Sequence, residues 1–358
     1  MKLKISRWSE MEWSNPYNSF NSMKGLTYYQ HYKKIMDWWG KRGELPPPIE
    51  ASLDPINACN HRCYYCNSQR YLRGHPGALQ QWSSEYLEIK LYKLAECGIV
   101  AFCWGGGGEA LLNKNLHGMT ELGVGLGMEA SIITNGALLE DYIDELLLCR
   151  WIGVSLDSAD PDVYQSIRGT DDCLTVLDNV RELCKRRTKT DIAIKVLVLP
   201  ETLDTLVCTC KVARDLGVQD FHVRPVDLER KDYRGRKVDF DVNKVRTILD
   251  SCHALETPDF HVYTVTHKYD ENFHVKHNFN KCYASPLVTQ ICTDKKMYVC
   301  VDHRLEPRFE IKEWGGDAHR ELLKGIDPHT ECARCTWSEY NRQVEEVVIN
   351  DRMCVGFP

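Results

Sequence analysis

From about residue 50 the chain alternates short apolar runs with longer segments whose apolar residues recur three and four apart. The runs ASLDPIN (51–57), IVAFCW (99–104), EASIIT (129–134), WIGVSLD (151–157), IAIKVLVL (192–199) and VQDFHVRP (218–225) predict six strands. The spans between them, 84–97, 115–126, 139–149, 172–187 and 202–216, predict helices, with a short helix or turn near 161–168. Strand then helix, repeated, argues for parallel pairing by right-handed crossovers. Eight such units close a barrel; six leave it open, with the functional loops at the C-terminal strand ends.

Beyond residue 225 the alternation gives way to a charged linker, DLERKDYRGRKVD, then a predicted helix at 242–254 and hairpin-like segments around 287–291 and 297–301. Residues before 45 are rich in aromatics and run into ELPPPIE, whose prolines predict an extended approach to the first strand. The expected organisation is an N-terminal extension (1–48), an α/β partial barrel of six strand–helix units (49–240) and a C-terminal domain (241–358).

Composition narrows the function classes. With 43% hydrophobic residues in 358 the chain can bury a real core. A net charge of −6 without a basic run argues against a nucleic-acid or anionic-membrane partner and leaves a small or peptidic substrate. Neither a signal-peptide stretch nor a membrane-length apolar run occurs, so a cytoplasmic location is expected. In that setting 17 cysteines read as metal ligands or buried thiols rather than disulfides.

The first strand is followed by NACNHRCYYCNSQRY, with Cys59, Cys63 and Cys66 spaced C-x3-C-x2-C. Three thiolates on one loop can ligate three irons of a 4Fe-4S cube and leave the fourth iron open. A structural zinc would want a fourth protein ligand and a different spacing; three unrelated core thiols are the other reading. The run resembles the signature of the radical S-adenosylmethionine (SAM) superfamily, down to the aromatic Tyr65 before the third cysteine. The resemblance implies that SAM chelates the open iron and is reductively cleaved to a 5′-deoxyadenosyl radical that abstracts hydrogen from the substrate. It also implies a reducing partner such as flavodoxin or ferredoxin.

Four further stretches match that family in order. CWGGGGEALLN resembles the glycine-rich element whose backbone holds the SAM amino group, through Gly106, Gly107, Gly108 and Glu109; the usual proline after the glutamate is Ala110. ITNGALL places Asn135 and Gly136 at the end of the third strand, and VSLDSADPDVYQSIRGT matches Ser155 to a ribose contact and Arg168 to the SAM carboxylate. KVLVLPET puts Val198 and Leu199 at the strand end that lies beside adenine in relatives. Taken singly, GGGG is a flexible loop and Ser155 or Arg168 a cap or ion-pair partner.

In the tail, Cys282, Cys300, Cys332 and Cys335 follow the order C-x17-C, long gap, C-x2-C. This resembles the twitch version of the SPASM domain, in which four cysteines fully ligate an auxiliary 4Fe-4S cluster; a zinc ribbon is the competing reading. Cys97, Cys103, Cys149, Cys173, Cys184, Cys208, Cys210 and Cys252 are expected as core thiols. The spacing resembles twitch-bearing aminocyclitol dehydrogenases, which implies oxidation of an alcohol to a ketone in a sugar, nucleotide sugar or aminocyclitol. Three alternatives remain: an epimerase using Cys354 of VVINDRMCVGFP as hydrogen donor, a ribosomal-peptide maturase, and a non-catalytic iron–sulfur carrier or sensor. The segment before the barrel looks short for a leader-binding domain, which weighs against the maturase.

Overall fold

In a computed structural model of the chain, residues 29–68, 80–226, 238, 240–266 and 268–349 are described. The six expected strands form the centre of one ten-stranded sheet: β1 (Glu50–Leu53), β2 (Ala101–Trp104), β3 (Glu129–Thr134), β4 (Trp151–Ser155), β5 (Asp191–Val198) and β6 (Asp220–Pro225). They pair in parallel in chain order. Two strands from beyond residue 240 extend the parallel array: β7 (His261–Thr264) pairs β6, and β8 (Val288–Ile291) pairs β1 on the other edge. β8 then turns into an antiparallel hairpin with β9 (Met297–Tyr298), as its spacing suggested, and β10 (Glu310–Ile311) follows. β7 lacks a sequence signal because HVYT has one aliphatic residue; its burial comes from the neighbouring strand.

Helices α1 (Tyr29–Trp39), α2 (Ser84–Glu96), α3 (Met119–Gly125), α4 (Ile143–Leu146), α5 (Pro161–Arg168), α6 (Cys173–Arg186), α7 (Leu206–Leu216) and α8 (Val242–His253) include the crossovers. α2 starts where the Ser83 hydroxyl accepts the Tyr86 N–H at 3.3 Å and buries Leu87, Leu91 and Leu94 on one face. α5 is capped by Asp160, has Pro161 in its first turn and ends on Gly169 at φ +66°. The helix expected at 115–126 begins only at Met119, because Gly118 at φ +77° breaks the preceding turn. The helix expected at 139–149 is a 3-10 turn followed by the single turn of α4.

Strand alternation divides the sheet. Phe102 and Trp104, Ile132, Ile152 and Val154, Ile192, Ile194, Val196 and Val198, Phe221 and Val223 pack outward under the helices in the main core. The other face is the barrel interior, and it carries Cys103, Gly153, Ser155, Lys195, Leu197, His222, Arg224 and Tyr263. Cys149, Cys173, Cys210 and Cys252 are core thiols as expected. Cys103 is buried but faces the interior, while Cys97 and Cys208 are exposed.

A second core joins α1 to the chain's far end. Trp38 packs with Val299, Phe309, Ile311, Leu323 and Ile326, and its indole N–H donates to the Gly315 carbonyl at 2.6 Å. Trp38 and Trp39 of the N-terminal extension thus serve the C-terminal segment. Among the described residues no helix is long and apolar enough to cross a membrane.

Candidate active site

The cysteine loop leaves β1 at the C-terminal end of the sheet and is tied down by backbone bonds. The Arg62 and Tyr64 N–H groups donate to the Arg168 and Ile167 carbonyls at the end of α5, and the Glu109 N–H donates to Ala58 O at 2.8 Å. Cys59, Cys63 and Cys66 are brought together, since Cys63 and Cys66 both lie close enough to Cys59 to oppose its ionisation, and Cys66 close enough to Cys63 to do the same. Burial pushes the Cys59 thiol up to about 12, against a backbone N–H from His61 that favours the thiolate. The Asn135 amide donates to Cys59 Sγ at 3.9 Å and to Asn60 Oδ1 at 2.7 Å. Three neighbouring thiols, one buried and two half-buried, need a cationic partner to ionise together, and N–H groups aimed at sulfur fit thiolates bound to iron.

The glycine loop is shaped by the protein itself at three of its positions. A Cβ on Gly105 would stand 2.8 Å from Ser52 Oγ; on Gly107, 2.4 Å from Asp54 Oδ2; on Gly108, 2.4 Å from the Ala58 carbonyl. A Cβ on Gly106 would meet nothing within 4 Å, so this glycine borders open space. Glu109 does not face that space. Its carboxylate, 2% exposed, accepts from Thr134 Oγ1, the Asn135 N–H and the Leu111 N–H, fastening the loop to the end of β3.

Arg168 and Tyr65 converge on a residue that motif spacing did not single out, Asp157. The Arg168 guanidinium lies 2.8 Å from Asp157 Oδ2, with side chains 4% and 1% exposed, and the Tyr65 hydroxyl donates to the same oxygen. Asp157 Oδ1 accepts the Leu197 N–H at 3.0 Å, so one carboxylate joins the cysteine loop, α5 and β5. Its place directly after the β4 run, in SLD, was the available signal. Ser155 ends β4 on the interior face. Val198 turns its side chain into the main core instead, because alternation gives the interior position to Leu197. Leu199 is buried with Ile167 and Val226 beside Tyr65. Cys354 lies outside the described residues.

The second thiol set is also assembled. All pairs among Cys282, Cys300, Cys332 and Cys335 oppose one another's ionisation, on top of burial that dominates each upward shift. The Asp302 N–H reaches Cys300 Sγ at 3.4 Å, the Trp337 N–H reaches Cys335 Sγ at 3.3 Å, and His303 Nε2 lies 3.4 Å from Cys332 Sγ. Asn341, fully buried, accepts the Tyr283 and Ala284 N–H groups and donates to Cys335 Sγ at 3.6 Å. Four mutually close thiols met by N–H groups are a donor set that could fully ligate a four-iron cluster, with a single zinc as the other occupant such a set takes.

Residues 53–212 match the family model described as Radical SAM superfamily. Over these residues, a little under half of the chain, the match is to a radical SAM domain. That domain brings with it a 4Fe-4S cluster and SAM, for which the Cys59–Cys66 loop is the fitting donor set. Among curated relatives, the subtilosin biosynthesis protein AlbA of Bacillus subtilis is 29% identical over 35% of this chain and 28% of its own length. A probable GTP 3′,8-cyclase of Archaeoglobus fulgidus is 33% identical over 39% and 46%. The chain therefore spans less than half of these two relatives. Beyond the radical SAM domain, the fold extends to solved structures. Streptococcus suis SuiB bound to precursor peptide SuiA superposes with a TM-score of 0.63 at 13% identity, covering 86% of this chain and 74% of that one. Native anSMEcpe with bound AdoMet gives 0.56 at 17%, covering 82% and 89%.

Proposed function

We propose that this protein is a radical SAM enzyme that abstracts a carbon-bound hydrogen from a small polar substrate held between its two thiol sets, leading to oxidation of an alcohol. The supporting observation is the pairing of a three-thiol loop with a separate, mutually interacting four-thiol set. The three-thiol loop of Cys59, Cys63 and Cys66 would hold a cluster able to supply the electron for SAM cleavage, and the four thiols Cys282, Cys300, Cys332 and Cys335 would hold one able to accept an electron from the substrate. The chain's own residues hold and shape the site. Asn135 and the His61 N–H orient Cys59, Glu109 fastens the glycine loop to β3, and Gly106 leaves room for a ligand beside that loop. Asp157 fixes Tyr65 and Arg168 behind the cysteines.

SuiB is solved with a precursor peptide and AlbA is named for bacteriocin biosynthesis, which makes a peptide maturase the second reading. Anaerobic reconstitution tests the first step of either. The expected content is about eight irons per chain, falling to about four with loss of 5′-deoxyadenosine formation when Cys59, Cys63 and Cys66 are replaced by Ala. Four irons plus one zinc in the wild type would sink the auxiliary-cluster assignment. Undiminished SAM cleavage by the triple variant would sink the radical reading. A peptide, but no sugar, that returns label to 5′-deoxyadenosine would favour the maturase.

A further inference from the structure

The cysteine loop is gripped by the turn between α5 and α6. Beside the Arg62 and Tyr64 N–H bonds to the Arg168 and Ile167 carbonyls, Gly169 lies against Arg62. A Cβ on Gly169 would stand 3.1 Å from Arg62 Cβ and 3.4 Å from the Arg62 carbonyl oxygen. The His61 imidazole, from between Cys59 and Cys63, enters this turn. Its Nε2 lies 3.2 Å from Asp172 Oδ2, and its side chain is 1% exposed. A carboxylate only accepts, so Nε2 carries the hydrogen. Nδ1 is buried without a partner among the described residues, so the bond to Asp172 is the one that fixes the ring, with the Tyr164 ring edge-on at 6.1 Å.

Asp172 stands at the head of α6, where an aspartate ordinarily accepts an N–H of the first turn and so stabilises its helix. Asp160 does this at the head of α5, accepting the Asp162 and Val163 N–H groups at 3.0 and 3.1 Å. Asp172 makes no side-chain cap bond to α6. Among the described residues its Oδ2 meets His61 Nε2 and the Thr170 hydroxyl instead, the latter at 2.8 Å. A 14-residue helix thus gives up its best capping group to the three-cysteine loop. What that grip holds is the backbone beside the first thiol, because the His61 N–H donates to Cys59 Sγ at 3.4 Å. An N–H given to a ligating sulfur stabilises the extra negative charge of a reduced cluster and so raises its potential.

We infer that His61 and Asp172 are a positioning pair for the Cys59–Cys66 loop: Asp172 fixes the imidazole, and the imidazole fixes the His61 N–H on Cys59. Neither is a catalytic residue. Both act through Cys59, setting the potential and the spectrum of the cluster that the loop takes. This deepens the radical reading above and rests on it for the loop's cluster, but not for the identity of the substrate.

The test uses the full chain, reconstituted anaerobically, as wild type, His61→Phe, Asp172→Ala, Asp172→Asn and the double variant of His61→Phe with Asp172→Ala. Iron content, melting temperature and the rate of 5′-deoxyadenosine formation are measured for each. So are the midpoint potential and the electron paramagnetic resonance signal, with and without SAM, of the cluster that is lost when Cys59, Cys63 and Cys66 are replaced by Ala. His61→Phe, which keeps a ring of similar size, and Asp172→Ala are expected to keep their iron and to lower that potential. Both should shift the signal and slow 5′-deoxyadenosine formation by about tenfold. Asp172→Asn, which retains an acceptor for Nε2, should stay near the wild type, and the double variant should match either single one. Wild-type potential and signal in His61→Phe would overturn the pair, as would additive losses in the double variant. Lost iron and a lower melting temperature with an unmoved potential would make the contact structural only, which also overturns it. A wild-type loop cluster whose signal ignores SAM would retire the radical reading, whereas a potential lowered by His61→Phe would still uphold the pair.

Discussion

Arg304→Gln is predicted to loosen the glycine loop from a distance, because one ion pair joins that loop to the segment carrying the auxiliary thiols. Arg304 follows Cys300 and places its Nε 2.7 Å from Asp54 Oδ2, with side chains 13% and 3% exposed. Asp54 directly follows β1, where its other oxygen accepts the Gly107 N–H at 3.0 Å. Without the guanidinium, the Asp54 carboxylate keeps that N–H and the Cys292 thiol at 3.7 Å. Removing one partner of a buried pair costs about 3–5 kcal/mol. The expected loss of unfolding free energy is therefore about 3–5 kcal/mol by urea denaturation, together with weaker SAM binding as Asp54, and the Gly107 N–H it accepts, is positioned less firmly. The double variant Asp54→Asn with Arg304→Gln removes the stranded charge and is expected to regain part of that loss. A loss below about 1 kcal/mol in Arg304→Gln, or a double variant no more stable than the single, would refute the reasoning.

Two other positions give independent checks. Gly108→Ala puts a methyl 2.4 Å from one backbone carbonyl and 2.8 Å from another, so a destabilisation of about 1–3 kcal/mol is expected. Gly106→Ala, with nothing within 4 Å, should unfold like the wild type, and equal melting temperatures for both variants would contradict the loop packing. His319 is 2% exposed between Trp38 and Trp314, its Nδ1 accepts the Gly315 N–H, and burial followed by Arg320 lowers it to about 4. The unfolded imidazole takes its proton near 6.5, so this contribution is fully present above that pH and is lost as pH falls toward 4. It amounts to about 3 kcal/mol. His319→Phe should flatten the acid limb of stability against pH between 4 and 6.5, and an unchanged slope would count against a neutral buried imidazole.

The sequence by itself determined what depends on residues near one another in the chain. Alternation and three-four spacing placed the six central strands and most of the helices; their ends moved by a few residues where Gly118 or a short cap intervened. The C-x3-C-x2-C run, the glycine loop and SLD were legible because ligand spacing and close backbone approach are local properties. Tertiary structure decided what depends on register and on distant partners. β7 pairs with residues 41 positions earlier and β8 with residues 238 positions earlier, pairings that a four-residue strand cannot announce. Asp157 becomes a hub only once α5 folds back on the cysteine loop, and Asp54 meets Arg304 across 250 residues. Cys103 and Val198 read as interchangeable apolar positions until pairing fixed which face each occupies. His61 and Asp172 lie 111 residues apart and carry no common motif. Electrostatic neighbourhoods of this kind are set by side-chain direction and burial in the folded chain, which a linear pattern does not encode.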